Sequence, residues 1–227
     1  PPPTTAAPPP PPTTVAPPPA APDWGEIARS VVLVGASGCG RAGSGTVVLD
    51  GQHVLTNAHV VADAGRVCTG LSVGLSERIE DAPDEWIGAT VVAFEGGRLD
   101  SSGNATLPDL ALLKLSRATD RPAIPIAAQA LDLNEEIVVL GFPGIGGQTV
   151  TLVRGVYAGL GESEGHDVLK TDADISRGNS GGSAFDTYGV LVGVPTYSSV
   201  EEDRASDLGW LIPAADAAAF LARHGQP

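Results

Sequence analysis

The chain is poor in basic and aromatic side chains. Its 227 residues carry 13 Lys and Arg against 27 Asp and Glu, a formal net charge of −14 at pH 7. So negative a balance argues against partners that present phosphate, such as nucleic acids or an anionic membrane surface. Aromatic residues make up only 4%, whereas glycine is abundant at 29 residues. This composition favours a β-rich, turn-rich fold over a helical bundle.

Methionine and long apolar runs are missing as well. No stretch approaches the roughly 18–20 apolar residues that cross a bilayer, so the domain itself is not expected to contact a membrane. Without methionine the sequence does not begin at a translation start, and we expect that a signal peptide or an anchor was removed upstream. The apolar content of 42% is still sufficient for one sizeable core.

Cysteine is scarce, with only Cys39 and Cys68, and the four histidines do not pair at metal-ligand spacing. The pattern therefore predicts neither a zinc site nor a Cys-x-x-Cys redox motif, and we expect no metal or other cofactor. The two cysteines form either one disulfide in an oxidising compartment or two buried thiols in the cytosol.

Residues 1–22 are almost entirely proline, threonine and alanine. Such a segment cannot bury a core and adopts an extended polyproline II conformation. We interpret it as a spacer that holds the domain, residues 23–227, away from a cell wall or membrane. A spacer of this kind suits a secreted or cell-envelope protein, which favours the disulfide over free thiols.

Short apolar segments separated by turn residues follow from Ile27 onward. Strands are predicted at residues 31–34, 46–49, 54–56, 87–94, 110–115, 136–140, 150–157, 168–171 and 190–197. Strands at this spacing indicate a sandwich or a pair of barrels. The clearest helix comes last, at residues 214–223, with Pro213 at its first position and Gly225 at its end.

Residues 171–183 place Ser180 among glycines, with Gly178 two residues before it. Such a turn exposes the hydroxyl and can aim successive N–H groups at one point, which suits a developing oxyanion. A catalytic serine also needs a base and an orienting acid. His59 and Asp109, beside the predicted strands 54–56 and 110–115, are the candidates. Taken alone, each of the three has a simpler interpretation as a turn or structural residue.

Together, the three segments resemble the chymotrypsin-like serine peptidases, in particular their bacterial HtrA (Deg) branch. The likeness spans about residues 27–222 and is carried by the motifs Thr-Asn-Ala-His-Val-Val at 56–61, Asp-Leu-Ala-Leu-Leu-Lys at 109–114, Leu-Gly-Phe-Pro-Gly at 140–144, Gly-Gln-Thr-Val-Thr at 147–151, residues 171–182, and Gly-Trp-Leu-Ile-Pro at 209–213. The resemblance implies an all-β fold of two six-stranded antiparallel barrels and a C-terminal helix. The barrels are expected at about residues 27–118 and 130–212, and the helix at 213–223.

The resemblance also implies roles for these residues. His59 would take the proton of Ser180 as that serine attacks the scissile carbonyl, and Asp109 would orient His59. The N–H groups of Gly178 and Ser180 would stabilise the oxyanion. The implied activity is that of an extracytoplasmic bacterial endopeptidase acting on protein or peptide substrates. Enzymes of this fold often have a disulfide near the histidine loop, which supports pairing of Cys39 with Cys68.

Two departures from the wider family bear on regulation. Asn179 stands where digestive members carry an aspartate that pairs with a newly cut N-terminus, so we expect no proteolytic activation. Members of the HtrA branch usually carry a PDZ domain after the catalytic domain. Residues 213–227 accommodate little beyond the closing helix, so control through a PDZ domain is not expected.

Substrate preference has two interpretations. Asp174, six residues before Ser180, stands where trypsin-like enzymes place the acidic floor of the S1 pocket, and would select Arg or Lys at P1. The HtrA-like frame instead prefers small aliphatic P1 side chains. Thr196, Tyr197 and Ser198, placed after the strand that ends at Pro195, are expected to form one wall of the pocket and to pair with substrate backbone.

Two rival functions remain open. A catalytically silent domain of the same fold would bind peptides in the groove between its two barrels. A structural wall-spacer protein is suggested only by residues 1–22, and it leaves the three motif segments unexplained.

Overall fold

The computed structural model describes residues 21–100, 105–126, 130–144, 148–199 and 208–225, without the side chains of residues 197–199. The strands are β1 (Val31–Ala36), β2 (Arg41–Val48), β3 (His53–Thr56), β4 (Ala62–Asp63), β5 (Arg66–Val67), β6 (Leu71–Leu75), β7 (Glu85–Glu95), β8 (Leu110–Leu115), β9 (Glu136–Gly141), β10 (Thr151–Ser163), β11 (His166–Thr171), β12 (Ser183–Phe185), β13 (Leu191–Ser199) and β14 (Leu208–Pro213). The α-helices are α1 (Trp24–Arg29), α2 (Ala58–Val61) and α3 (Ala214–His224). Most of the proline-rich stretch and the acidic stretch 201–207 lie outside the described residues.

The long strands close into two six-stranded antiparallel barrels. The first has the order β1-β2-β3-β8-β7-β6 and the second β10-β11-β14-β13-β12-β9, while β4 and β5 pair as a separate hairpin. This architecture, with α3 packed against β13 and β14, confirms the predicted fold. Within the described ranges, no helix has the length and apolarity needed to span a membrane.

Apolar side chains fill each barrel and also join the two. The first barrel encloses residues such as Val34, Val73 and Leu113, and the second encloses residues such as Val139, Val192 and Leu211. A further cluster packs the barrels together through Leu33, Leu140, Phe142 and Phe185. Because interiors of this kind are close-packed, residues from different barrels are held at fixed distances across the interface between the barrels.

Several elements differ from the expectation. Helix α1 and strands β4, β5, β6, β12 and β14 were not predicted. Asp23 is the N-cap of α1, and its carboxylate accepts from the N–H groups of Gly25 and Glu26. Strand β13 runs through Pro195 to Ser199, two residues beyond the predicted strand 190–197, so residues 196–198 all lie on it. Pro213 ends β14 and caps α3 from outside the helix, whereas it was expected to be the first helical residue.

Candidate active site

His59 and Asp109 lie beside two neighbouring strands of the first barrel. Strand β3 leads directly into α2, which carries His59, and Asp109 immediately precedes β8, the neighbour of β3. His59 Nδ1 lies 2.8 Å from Asp109 Oδ2, and the His59 main-chain N–H donates to Asp109 Oδ1 at 2.9 Å. One carboxylate thus fixes both the ring and the backbone of the histidine.

Asp109 is fully buried, and its carboxylate and carbonyl oxygens accept hydrogen bonds from neighbouring residues. Besides the two bonds to His59, Thr196 Oγ1 donates to Asp109 Oδ2 at 2.5 Å. Asn57 Nδ2 donates to the Asp109 carbonyl at 2.8 Å. Asp109 also has φ of 36°, a left-handed conformation that side-chain-bearing residues rarely adopt unless their surroundings hold them there. The surroundings of Asp109 therefore determine its orientation.

Ser180 belongs to the second barrel and precedes β12. Its hydroxyl donates to the Thr196 carbonyl at 2.9 Å. Among the described residues, Ser180 Oγ forms no hydrogen bond with His59. Thr196 therefore contacts two predicted site residues: its hydroxyl binds Asp109 and its carbonyl holds Ser180.

The turn before Ser180 carries the two N–H groups of the predicted oxyanion site, those of Gly178 and Ser180. The Arg177 carbonyl accepts from the N–H of Gly144 at 2.7 Å, and a trans peptide points the following N–H, that of Gly178, in the opposite direction. Neither the Gly178 nor the Ser180 N–H donates to another of the described residues. Gly178 has φ of 103°, and a Cβ there would lie 2.3 Å from the Phe142 carbonyl oxygen, so glycine is required.

Ser44 braces this turn from the first barrel. Its hydroxyl donates to the Gly178 carbonyl at 2.6 Å and accepts from the Phe142 N–H at 2.8 Å. The Ser44 N–H donates to the Ser180 carbonyl at 2.8 Å. Ser44 was not predicted from the sequence, where it is simply a serine between the two glycines of β2.

The predicted substrate pocket is only partly described. Asp174 is exposed and has no hydrogen bond or ion pair with another described residue. Its neighbour Ile175 is buried, and a Cβ on Gly209 would lie 2.5 Å from Ile175 Cδ1. Strand β13 places Ser198 opposite Gly209, while the side chains of Tyr197 and Ser198 lie outside the described residues. The buried apolar side chain of Ile175 therefore lies next to the predicted pocket wall.

Cys39 and Cys68 are joined by a disulfide close to α2, the helix that carries His59. Within the described ranges, no group of three or more His, Cys, Asp or Glu residues could hold a metal ion.

A family model described as "Trypsin-like peptidase domain" matches residues 43–194, more than half of the chain. The chain belongs to this family. The match to the trypsin-like peptidase domain takes in His59, Asp109 and Ser180, as well as Ser44 and both residues of the predicted oxyanion site.

Curated relatives of this trypsin-like domain include named bacterial proteases. The serine endoprotease DegS of Escherichia coli K12 is 29% identical over 183 residues, covering 75% of this chain and 44% of DegS. The serine protease Rv3671c of Mycobacterium tuberculosis H37Rv is 29% identical over 198 residues, covering 82% of this chain and 43% of the relative. The chain thus spans less than half the length of these relatives.

Solved structures share the trypsin-like fold. The Rv3671c protease of M. tuberculosis in its inactive form has a TM-score of 0.65 at 27% identity, covering 88% of this chain and 91% of that chain. A serine endoprotease from Yersinia pestis has a TM-score of 0.67 at 29% identity, covering 87% of this chain and 63% of that chain.

Proposed function

We propose that this chain is an extracytoplasmic serine endopeptidase that cleaves protein or peptide substrates through an acyl-enzyme intermediate. The observation that carries the proposal is the double hydrogen bond from His59 to the buried Asp109, with Ser180 bonded to the same threonine that supports Asp109. Membership in the trypsin-like family supports the same activity.

In the first step, substrate binding turns the Ser180 hydroxyl from the Thr196 carbonyl toward His59 Nε2. His59 takes the proton as Ser180 Oγ attacks the scissile carbonyl carbon, and Asp109 stabilises the resulting imidazolium. The negatively charged oxygen of the tetrahedral intermediate accepts hydrogen bonds from the N–H groups of Gly178 and Ser180. In such sites each donor contributes a factor of about 10²–10³ to the rate.

The intermediate collapses when the C–N bond breaks and His59 delivers its proton to the leaving amine. A water molecule then attacks the acyl-enzyme, again with His59 as the base, and releases the second product with a free carboxylate. Ser180 recovers its proton, so each cycle hydrolyses one peptide bond with one water molecule and leaves the protein unchanged.

An extracytoplasmic setting is supported by the Cys39–Cys68 disulfide, since disulfides persist in oxidising compartments. In this proposal, residues 1–22 act as the spacer that holds the domain away from a cell wall or membrane.

For the P1 side chain, small aliphatic groups are the better fit. Ile175 is buried beside Gly209, whereas Asp174 is exposed and without a partner among the described residues. A peptide library varied at P1 tests this preference. Cleavage after valine or alanine that is unaffected in Asp174→Asn supports it; cleavage after arginine that disappears in Asp174→Asn assigns Asp174 to the pocket instead.

The activity is tested by labelling Ser180 with a fluorophosphonate and by assaying casein cleavage. Wild-type protein should form one covalent adduct and cleave the substrate, and Ser180→Ala should do neither. His59→Ala provides a second inactive control in which the serine is still present. Equal cleavage by wild type and Ser180→Ala would refute the proposal.

A catalytically silent peptide-binding domain is the second candidate, because the Ser180 hydroxyl donates to the Thr196 carbonyl and not to His59. Under that alternative, wild-type protein would bind peptides but neither cleave them nor react with the fluorophosphonate. Measuring peptide binding by Ser180→Ala alongside the labelling experiment therefore separates the two functions.

A further inference from the structure

The main chain of His59 is held by a residue outside the predicted triad. Arg41 opens β2, and its Nη1 donates to the His59 carbonyl at 2.6 Å and to the Ala62 carbonyl at 2.7 Å. We propose that Arg41 is a positioning residue, which holds the main chain of His59 so that its ring stays aligned with Ser180. This inference rests on the proposed peptidase function.

The α2 helix needs such a support because it cannot hold its own shape. It has only four residues, and its N-cap, Asn57, makes no side-chain capping bond. Helices this short are unstable in isolation, since nucleation costs more than a single turn recovers. The position of His59 must therefore be set by contacts from other parts of the fold.

The carbonyl groups of α2 and its C-cap show where those contacts come from. The Ala58 carbonyl accepts from the Ala62 N–H, and the Val61 carbonyl accepts from the Cys68 N–H at 2.9 Å. The carbonyls of His59 and Ala62 accept from Arg41. Without the guanidinium, these two partly buried carbonyls would lose a charged hydrogen-bond donor. A buried acceptor without a partner lowers the stability of the fold.

Arg41 and Asp109 hold His59 from its two ends. Asp109 accepts from the main-chain N–H and from the ring, and Arg41 binds the carbonyl on the other side of the same residue. Asp109 alone would leave a pivot about which the histidine could swing. A misplacement of about 1 Å in a catalytic group can cost roughly 100-fold in rate.

The planar guanidinium is suited to this task. One nitrogen serves both carbonyls while Nη2 reaches Asp63 Oδ1 at 2.7 Å, so the group is fixed in one orientation. Asp63 lies on the solvent side of the contact, with 60% of its side chain exposed against 24% for Arg41. We infer that the two carbonyl bonds carry the function and that the ion pair to Asp63 contributes little.

Steady-state kinetics on a peptide anilide test this assignment. In Arg41→Ala, kcat should fall by about 10- to 100-fold while KM stays within about twofold of wild type, because alignment and not binding is lost. Arg41→Lys should recover part of kcat. Asp63→Ala keeps both carbonyl bonds, and Arg66→Gln removes an exposed arginine from β5 of the same hairpin; both should retain wild-type kcat.

A measurement that needs no turnover separates this inference from the proposed activity. Proton NMR in a Ser180→Ala background detects the His59 Nδ1 proton bound to Asp109, and Arg41→Ala should broaden or remove that resonance. If wild-type protein neither cleaves nor labels, the proposed function fails, while the resonance still decides the role of Arg41. A folded Arg41→Ala with an unchanged resonance and wild-type kcat would overturn the inference. Should Arg41→Ala fail to fold, Arg41→Gln decides: a lower kcat at an unchanged melting temperature supports the inference, and wild-type kcat overturns it.

Discussion

Replacing Thr196 by valine removes one hydrogen bond from the most enclosed carboxylate of the site. Asp109 accepts three bonds through its carboxylate: two from His59 and one, at 2.5 Å, from Thr196 Oγ1. Valine keeps the branched shape of threonine, so little packing changes. Hydrogen bonds to charged groups contribute about 1.5–3 kcal/mol, and Asp109 is fully buried, so the lost bond cannot be replaced by bulk water. We expect Thr196→Val to lower the free energy of unfolding by about that amount.

The assay is urea unfolding followed by tryptophan fluorescence, in a Ser180→Ala background that prevents self-digestion. Thr196→Ser is the matched control because it keeps the hydroxyl and removes only a methyl group, which should cost about 1 kcal/mol or less. In the active background, Thr196→Val should also lower kcat by about tenfold, since Asp109 is less firmly held as the imidazolium forms. Unfolding within about 0.5 kcal/mol of wild type, together with unchanged kcat, would show that Thr196 does not support Asp109.

Two further predictions concern stability. Burial raises the pKa of Glu95, but hydrogen bonds and charge from His224 and Arg223 outweigh it and lower the net pKa below 4.5. The stabilisation from this cluster is therefore present above pH 4.5 and lost as the pH falls through the lowered pKa. Because the ion pair is partly exposed, the unfolding free energies of wild type and Glu95→Gln should differ by at most about 1 kcal/mol at pH 6. This difference should shrink below pH 4.5, and a difference that grows as the pH falls would contradict the prediction. The disulfide closes a loop with a sequence separation of 29, so replacing Cys39 and Cys68 by serine should cost about 3–4 kcal/mol in urea unfolding, whereas no loss would mean that the unfolded chain is not restrained by this bond.

The sequence was informative where one local pattern determines one structural outcome. Strand β8, for example, is apolar at every position except Lys114, as a buried strand requires, and it was predicted at its observed bounds. His59 and Asp109 could be paired because their flanking motifs resemble those of a known family. The structure then places their side chains in contact.

What could not be predicted depends on contacts between distant parts of the chain. Ser44 looks like any small residue of a strand, and its bond to Gly178 exists only because the two barrels pack together. Arg41 lies outside every motif, so its contact with His59 has no local signal. Strand β12 has only three residues, too few for a period to be recognised.

The resting position of the Ser180 hydroxyl has a consequence for chemical probes of this protein. A small electrophile without a peptide backbone must wait for the hydroxyl to leave the Thr196 carbonyl, a bond of about 0.5–1.5 kcal/mol net. Such a reagent would modify the protein up to about tenfold more slowly than it modifies an enzyme whose serine already faces the histidine. A peptidyl phosphonate whose own N–H competes for that carbonyl would release the hydroxyl on binding. Surveys based on small fluorophosphonates alone would then under-count active molecules, and the ratio of the two labelling rates would measure how firmly the nucleophile is held.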